Sequence, residues 1–194
     1  MSIETVDGDL LDKNNACDII IQQLNCTCVK GHGLSDAISQ KYPYAEIYSH
    51  RKQFGKKNVC LEKDRGIPGK ITVSFPIDDG IGIDGVGPIV IGFYGQYDFG
   101  KAYFRAYRPR LPAKYAGLYG PSESKGHREN WFRKCLDNFI KWIIANRLNH
   151  PEVVIGIPFG IGCGLAGGIW RNYLTMLEKF NENVKCKVKI IKLA

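Results

Sequence analysis

The sequence has no apolar run long enough to cross a bilayer. Its longest, such as Ile89-Val90-Ile91-Gly92-Phe93, fall far short of the ~20 residues that a membrane helix requires. Nor does it open like a secreted precursor, because Met1-Ser2-Ile3-Glu4-Thr5-Val6-Asp7-Gly8-Asp9 carries acids where basic and then apolar residues would stand. A cytosolic or nuclear protein with no membrane partner is the expectation. Regular cysteine spacing is missing as well. The seven cysteines, at 17, 26, 28, 60, 135, 163 and 186, are odd in number and mostly embedded in apolar runs, which excludes a disulfide scaffold and suits reduced, small hydrophobes. Cys26-Thr27-Cys28 with His32 lacks a second close pair to complete a tetrahedral zinc site, so no metal and no other cofactor is expected. There is no acidic excess: Lys+Arg 27 against Asp+Glu 19 leaves +8, with a pI near 9.1, which favours an anionic partner. Nucleic acid, nucleotide and phosphate all meet that condition.

What is present reads as one domain over all 194 residues, with strands alternating with helices. Ile3 to Val6 alternates like an opening strand. Asp18-Ile19-Ile20-Ile21-Gln22-Gln23-Leu24-Asn25 is a continuous apolar run with a polar tail, the pattern of a strand buried on both faces whose carboxyl end opens into a site. Gly31-His32-Gly33-Leu34 then leads into a helix that Ser35 or Asp36 is placed to cap and Pro43 limits. Residues 45–66 read as a polar helix or turn segment in which Arg51, Lys52, Lys56 and Lys57 form a solvated basic face. The 69–75 and 89–94 strands are expected to pair antiparallel, joined by a hairpin-type turn over Asp78 to Gly87. The aromatic and basic stretch 98–126 reads as a long ordered loop. Glu129 to Leu148 and Trp170 to Phe180 are predicted helices, and Glu152 to Pro158 and Val184 to Leu193 predicted strands. The fold class is α/β: three layers, α/β/α, around a central mixed sheet.

Two glycine-rich loops each follow a buried strand and precede a helix: Gly31-His32-Gly33, and Gly160-Ile161-Gly162-Cys163-Gly164-Leu165-Ala166-Gly167-Gly168. Glycines let the backbone approach an anion closely, and free amides at a helix start point towards it. The second loop is not Gly-x-x-x-x-Gly-Lys-Ser/Thr and comes too late in the chain for a dinucleotide fingerprint. A diphosphate ligand is the functional reading. A tight left-handed turn alone is the structural one.

Four segments in order carry a resemblance to the macro domain family, whose modules bind ADP-ribose and related metabolites: Val6-Asp7-Gly8-Asp9-Leu10; Ala16-Cys17-Asp18 running to Asn25-Cys26; Gly31-His32-Gly33-Leu34; and Ile157-Pro158-Phe159-Gly160-Ile161-Gly162-Cys163-Gly164-Leu165. The last segment is similar to the phosphate loop of the branch that includes the ALC1 and TARG1 type macro domains as well as the yeast ADP-ribose-phosphate phosphatase. By this resemblance Asp18 accepts from the adenine amino group and the amide of Ile19 supports the ring. Asn25 binds the distal ribose, and Gly31, His32 and Gly33 flank that ribose and one phosphate. Gly162, Cys163, Gly164, Leu165 and Ala166 wrap the diphosphate through backbone amides. Alternatives stand beside these roles: Asp18 ends a loop, Asn25 caps the following loop, Cys163 is a small filler, and His32 is a surface or packing histidine.

For catalysis the resemblance gives less. Where family members that hydrolyse ADP-ribosyl esters often carry an Asp after the first glycine loop, this chain has Ser35, with Asp36 one position later. A covalent-lysine branch uses a Lys before the central helix and an Asp directly after Gly-Cys-Gly-Leu. Here Ala166 holds that Asp position, Gln96-Tyr97 lies near the Lys region and Lys101 follows, so that mechanism is not expected. His32 is the candidate general acid or base, because an imidazole is the side chain best suited to moving protons at physiological pH, with Asn25 beside it. The implied activity is ADP-ribose binding with hydrolysis of a derivative, either ADP-ribose 1''-phosphate or a protein-linked ADP-ribosyl ester. Partners would be ADP-ribose, a derivative, or an ADP-ribosylated protein. Tyr94-Gly95-Gln96-Tyr97 and Tyr103 to Arg110 would form a lid near the same mouth. Two rival classes are a non-catalytic ADP-ribose reader and a single-stranded nucleic-acid binder using the basic, aromatic 98–126 stretch.

Overall fold

The computed structural model of the chain describes residues 3–76, 87–102, 111–116 and 123–193. Six strands form one sheet: β1 (Glu4–Asp7), β2 (Ile19–Asn25), β3 (Ile71–Ser74), β4 (Ile89–Gln96), β5 (Val154–Pro158) and β6 (Lys187–Lys192). Their spatial order is β1-β6-β5-β2-β4-β3. All neighbours run parallel except β3 against β4, which pair antiparallel as expected from their alternation. The turn expected over Asp78 to Gly87 lies, except for Gly87, outside the described residues.

The side chains of the central strands alternate between two cores, which is why those strands read as continuous apolar runs. Ile19 and Ile21 of β2, Ile91 and Phe93 of β4, and Val188 and Ile190 of β6 face α3 (Lys125–Ala145) and α4 (Trp170–Glu182). Ile20, Val90 and Ile191 face the other way, onto Ile38 of α1 (Leu34–Lys41). Helices thus cover both faces of a mixed sheet, a three-layer α/β/α arrangement. Phe132 and Phe139 of α3 meet Phe93 edge-on, at centroid distances of 5.6 and 6.0 Å. Truncating either buried ring costs ~3 to 5 kcal/mol. No helix among the described residues is long and apolar enough to cross a membrane.

Several local expectations are corrected. Neither Ser35 nor Asp36 caps α1. The cap residue is Gly33, at φ +59°, and Ser35 Oγ instead meets the His32 backbone. Helix α3 begins four residues before Glu129 because Ser124 and His127 form a reciprocal cap, in which His127 Nδ1 accepts from the Ser124 amide. Of the two alternatives for residues 45–66, the turn segment is the one found, as short 3-10 turns and bends. Within that segment Arg51 is no solvated lysine-like neighbour. Its guanidinium is buried against Tyr48 and Tyr94 and donates to the carbonyls of Asn25 and Cys28. The 98–126 stretch contains a short helix, α2 (Ala113–Ala116), and the first residues of α3. Its expected lid segment, Tyr103 to Arg110, lies outside the described residues.

Candidate functional site

A cavity of about 870 Å³ opens where the parallel strands end. In open α/β sheets the crevice forms at these carboxyl edges, where loops diverge to opposite faces. Strand order sets its layout. The segment after β1 lines one end, the loop after β5 the middle, and the tail of β2 with the loop after β4 the other end. Three strand spacings separate β1 from β2, so the ends are ~14 Å apart.

At the β1 end, Gly8 breaks the strand and Asp9 turns into the mouth. Its Oδ1 accepts from the Leu11 amide at 2.9 Å, which fixes the carboxylate, and Oδ2 has no hydrogen-bond donor among the described residues. Leu10, Phe159, Ile191 and Leu193 give this end an apolar wall. Phe159 is steadied by Trp170 at a centroid distance of 4.8 Å. An acceptor beside an apolar slot suits a flat ring with an amino edge.

In the middle, the second glycine loop is built by three short-range bonds. Cys163 N–H donates to Gly160 O at 2.8 Å, Gly167 to Gly164 O at 3.0 Å, and Gly168 to Gly162 O at 3.0 Å. The amides of Gly162, Gly164, Leu165 and Ala166 make no hydrogen bond among the described residues, while all four residues line the cavity. Unpaired amides at a cavity wall need an acceptor, and an anion supplies the strongest. Gly162, at φ +76°, also permits tight packing behind the loop: a Cβ there would lie 2.5 Å from Tyr173 and 2.8 Å from Gln23 Oε1.

At the β2 end, Asn25 Oδ1 accepts from the amides of Thr27 and Cys28, at 3.2 and 2.7 Å. Its Nδ2 donates to Tyr48 Oη at 3.4 Å and has a second hydrogen to offer. Gln23 Nε2 donates to Gln96 Oε1 at 2.8 Å, and Gln22 and Gln23 each hold a buried Oε1 with no donor among the described residues. Neutral amides gathered at a cavity floor suit a polyhydroxylated ligand. Lys30, His32 and Ser35 stand at the rim, where the His32 ring is exposed and makes no hydrogen bond among the described residues. Asp36 turns away and accepts from Gln40. The cavity's thiol and phenol are not activated nucleophiles, because burial pushes Cys28 and Tyr48 each up to about 12.

Asn25, Gly31, His32, Gly33, Gly162, Gly164, Leu165 and Ala166 therefore come together around one cavity. Three expected residues do not. Asp18 stands at the opposite edge of the sheet, ~23 Å along β2 from Asn25; there its carboxylate accepts from Val154 N–H at 2.8 Å. Ile19, directly after it, is fully buried in the core. The physical reason is direction: a residue that precedes a parallel strand lies at its amino end, away from the crevice. The third, Cys163, packs against the core, spends its amide on Gly160 and has its thiol raised to about 11 by burial, as suits a filler. For Asn25, the oxygen is committed to capping its own loop, and only the amide nitrogen faces outward partners. Of the expected lid, Tyr94 and Tyr97 are buried, and their hydroxyls accept from Arg51 and Arg65. Sequence reasoning missed Asp9, Tyr48 and Phe159 as cavity residues, whereas it placed Gln22 and Gln23, in the polar tail of β2, and Gln96, in the expected lid, at the mouth without giving them a role. Asp9 had a signal, the Gly8-Asp9 break straight after a strand.

No family model matches the sequence, and neither does the sequence of any curated protein. Solved structures do match in fold. The macrodomain of Mycobacterium tuberculosis DarG is 20% identical, with a TM-score of 0.59, over 99% of this chain and 97% of that one. The macrodomain of Thermus aquaticus DarG is 15% identical, with a TM-score of 0.58, over 99% and 97%. An Oceanobacillus iheyensis macrodomain solved with MES bound is 13% identical, with a TM-score of 0.56, over 98% and 82%. The likeness runs through the whole sheet and both helical layers, and the chain has the macrodomain fold.

Proposed function

We propose that the protein binds ADP-ribose along this cavity and hydrolyses a derivative of it at the distal ribose. The observation that carries the reading is the order of chemistries along ~14 Å of sheet edge. It runs from an acceptor with an apolar slot, through unpaired amides, to a floor of neutral side-chain amides. Adenine, diphosphate and ribose present the complementary groups in the same order. Asp9 Oδ2 accepts from the adenine amino group, the amides of Gly162, Gly164, Leu165 and Ala166 hold the diphosphate, and Asn25 Nδ2 donates to a ribose hydroxyl.

Of the two derivatives, the charges around the far end favour the terminal phosphate. Asp9 is the one carboxylate among the described residues lining the cavity, and it stands at the base end. Lys30 and His32 stand at the ribose end and suit an anion. With no activated thiol or phenol there, water is the nucleophile. It adds to phosphorus, the bond to the ribose oxygen breaks, and ADP-ribose and inorganic phosphate leave. His32 transfers the proton, and positioning supplies much of the rate. Incubation with ADP-ribose 1''-phosphate should release inorganic phosphate, and His32→Ala should slow release by about 100-fold with unchanged ADP-ribose affinity.

A reader without turnover is the second reading, favoured by Ser35 and Ala166 at positions where acids are expected and by Asp36 facing Gln40. ADP-ribose binding with no release from either the phosphate or a protein ester would select it.

A further inference from the structure

The second glycine loop is held from behind by a buried ion pair that none of the roles above uses. Arg128 of α3 is 1% exposed and Glu123, just before that helix, 6%. Arg128 Nε donates to Glu123 Oε1 at 2.8 Å. Its Nη1 donates to the carbonyls of Gly100 at 2.6 Å and Ala166 at 2.7 Å, and its Nη2 to Asp98 O at 3.3 Å. Glu123 in turn accepts from the amides of Tyr97 at 2.7 Å and Asp98 at 3.1 Å. One pair thus satisfies five backbone groups on two segments, 97–100 and the glycine loop. Both segments line the cavity through Gly100 and Ala166.

The bond to Ala166 bears on anion binding. The peptide between Ala166 and Gly167 is fixed at both ends, its oxygen by Arg128 and its N–H by Gly164 O at 3.0 Å. That closes a turn over Gly164 to Gly167, and the inner residues of such a turn, Leu165 and Ala166, keep their amides unpaired. Gly167 has φ +70°, so the peptide beside it is free to rotate unless something holds it. Rotation would break the bond to Gly164 and open the turn. Buried ion pairs add little net stability over apolar packing, so this one is better understood as specifying a geometry.

We infer that Arg128, oriented by Glu123, is a positioning residue that locks the glycine loop in its anion-receiving form. This rests on the diphosphate reading of the loop. It predicts a ligand-dependent defect: contacts with the diphosphate weaken while the base end, strands away, is untouched. Lysine keeps the charge next to Glu123 but has no fork to span Gly100 and Ala166.

The test is titration of full-length wild type and Arg128→Lys with ADP-ribose and, separately, with adenosine, together with amide hydrogen exchange at Gly167. Arg128→Lys should bind ADP-ribose about tenfold more weakly and adenosine within about twofold of wild type. Its Gly167 amide should exchange about tenfold faster. Equal ADP-ribose affinity in the folded variant overturns the inference, and so does an equal loss for both ligands, which is the mark of general loosening. Glu123→Gln, which keeps the shape but not the charge, carries the same expectations should Arg128→Lys fail to fold. If wild type binds no ADP-ribose, the functional reading fails and the Gly167 exchange rate still decides. Faster exchange in the variant supports the lock, and an unchanged rate overturns it.

Discussion

The two glycine loops look alike in sequence and are built in opposite ways. The first, Gly31 to Gly33, is itself shaped locally, with Ser35 Oγ meeting the exposed His32's backbone, while groups farther along the chain, Arg51 on the Asn25 and Cys28 carbonyls and Asn58 on the Val29 amide, hold only the turn before it. The second is held by a residue 38 positions away, Arg128, and packed from behind by Tyr173 and Gln23. A locally shaped loop adapts to what it binds, whereas one braced by a buried pair presents a fixed set of amides. The fixed loop lies mid-cavity, where an anion would bind, and the adaptable one at the end where substrates would differ.

Substitution inside the braced loop should separate folding from binding. Gly162→Ala sets a methyl 2.5 Å from Tyr173 at a φ of +76°, and should cost ~3 kcal/mol or more in a urea unfolding curve. A loss below ~1 kcal/mol would mean that the loop is as adaptable as the first one. In the turn before the first loop, Asn25→Ala removes the acceptor for two amides and should cost ~1 to 2 kcal/mol, read by the same curve.

The two ends of the sheet should differ in the same way. Asp9→Asn should weaken ADP-ribose binding about tenfold, while Asp18→Asn leaves it unchanged. The reverse result would move the base end back to the amino edge. The smallest effect belongs to Cys163. Burial raises its thiol from 9.0 to about 11, so the folded protein holds that proton more tightly than the unfolded chain. This contribution is whole below about pH 9 and is lost as pH climbs through about 11. Wild-type stability should therefore fall more steeply across that window than that of Cys163→Ala. Parallel profiles would show the thiol to be effectively solvated.

Much of this was legible in the sequence wherever a feature depended on neighbours along the chain. The Ile19 to Leu24 run announced a strand buried on both faces, its polar tail announced the cavity, and Gly160 to Gly168 announced a loop with spare amides. What stayed hidden depended on direction or distance. Asp18 and Asp9 are both acids flanking apolar runs, but one precedes its strand and the other follows, and only chain direction in a parallel sheet decides which faces the crevice. Arg51 sits among lysines, and nothing local shows that its guanidinium finds Tyr48, Tyr94 and two carbonyls. The Arg128 brace joins segments 28 and 38 residues away from it, beyond the reach of any pattern.

The claim at the centre of this account is that the mid-cavity amides receive a diphosphate, and Gly164 is the place to test it. A Cβ on Gly164 meets nothing within 4 Å, so Gly164→Glu should fold normally while setting a carboxylate among the amides. Calorimetric titration with ADP-ribose, with AMP and ADP as controls, should show saturable binding to wild type in preference to AMP. Gly164→Glu, at unchanged thermal stability, should lose that binding by about 100-fold or more. Undiminished affinity in the folded variant would contradict the account.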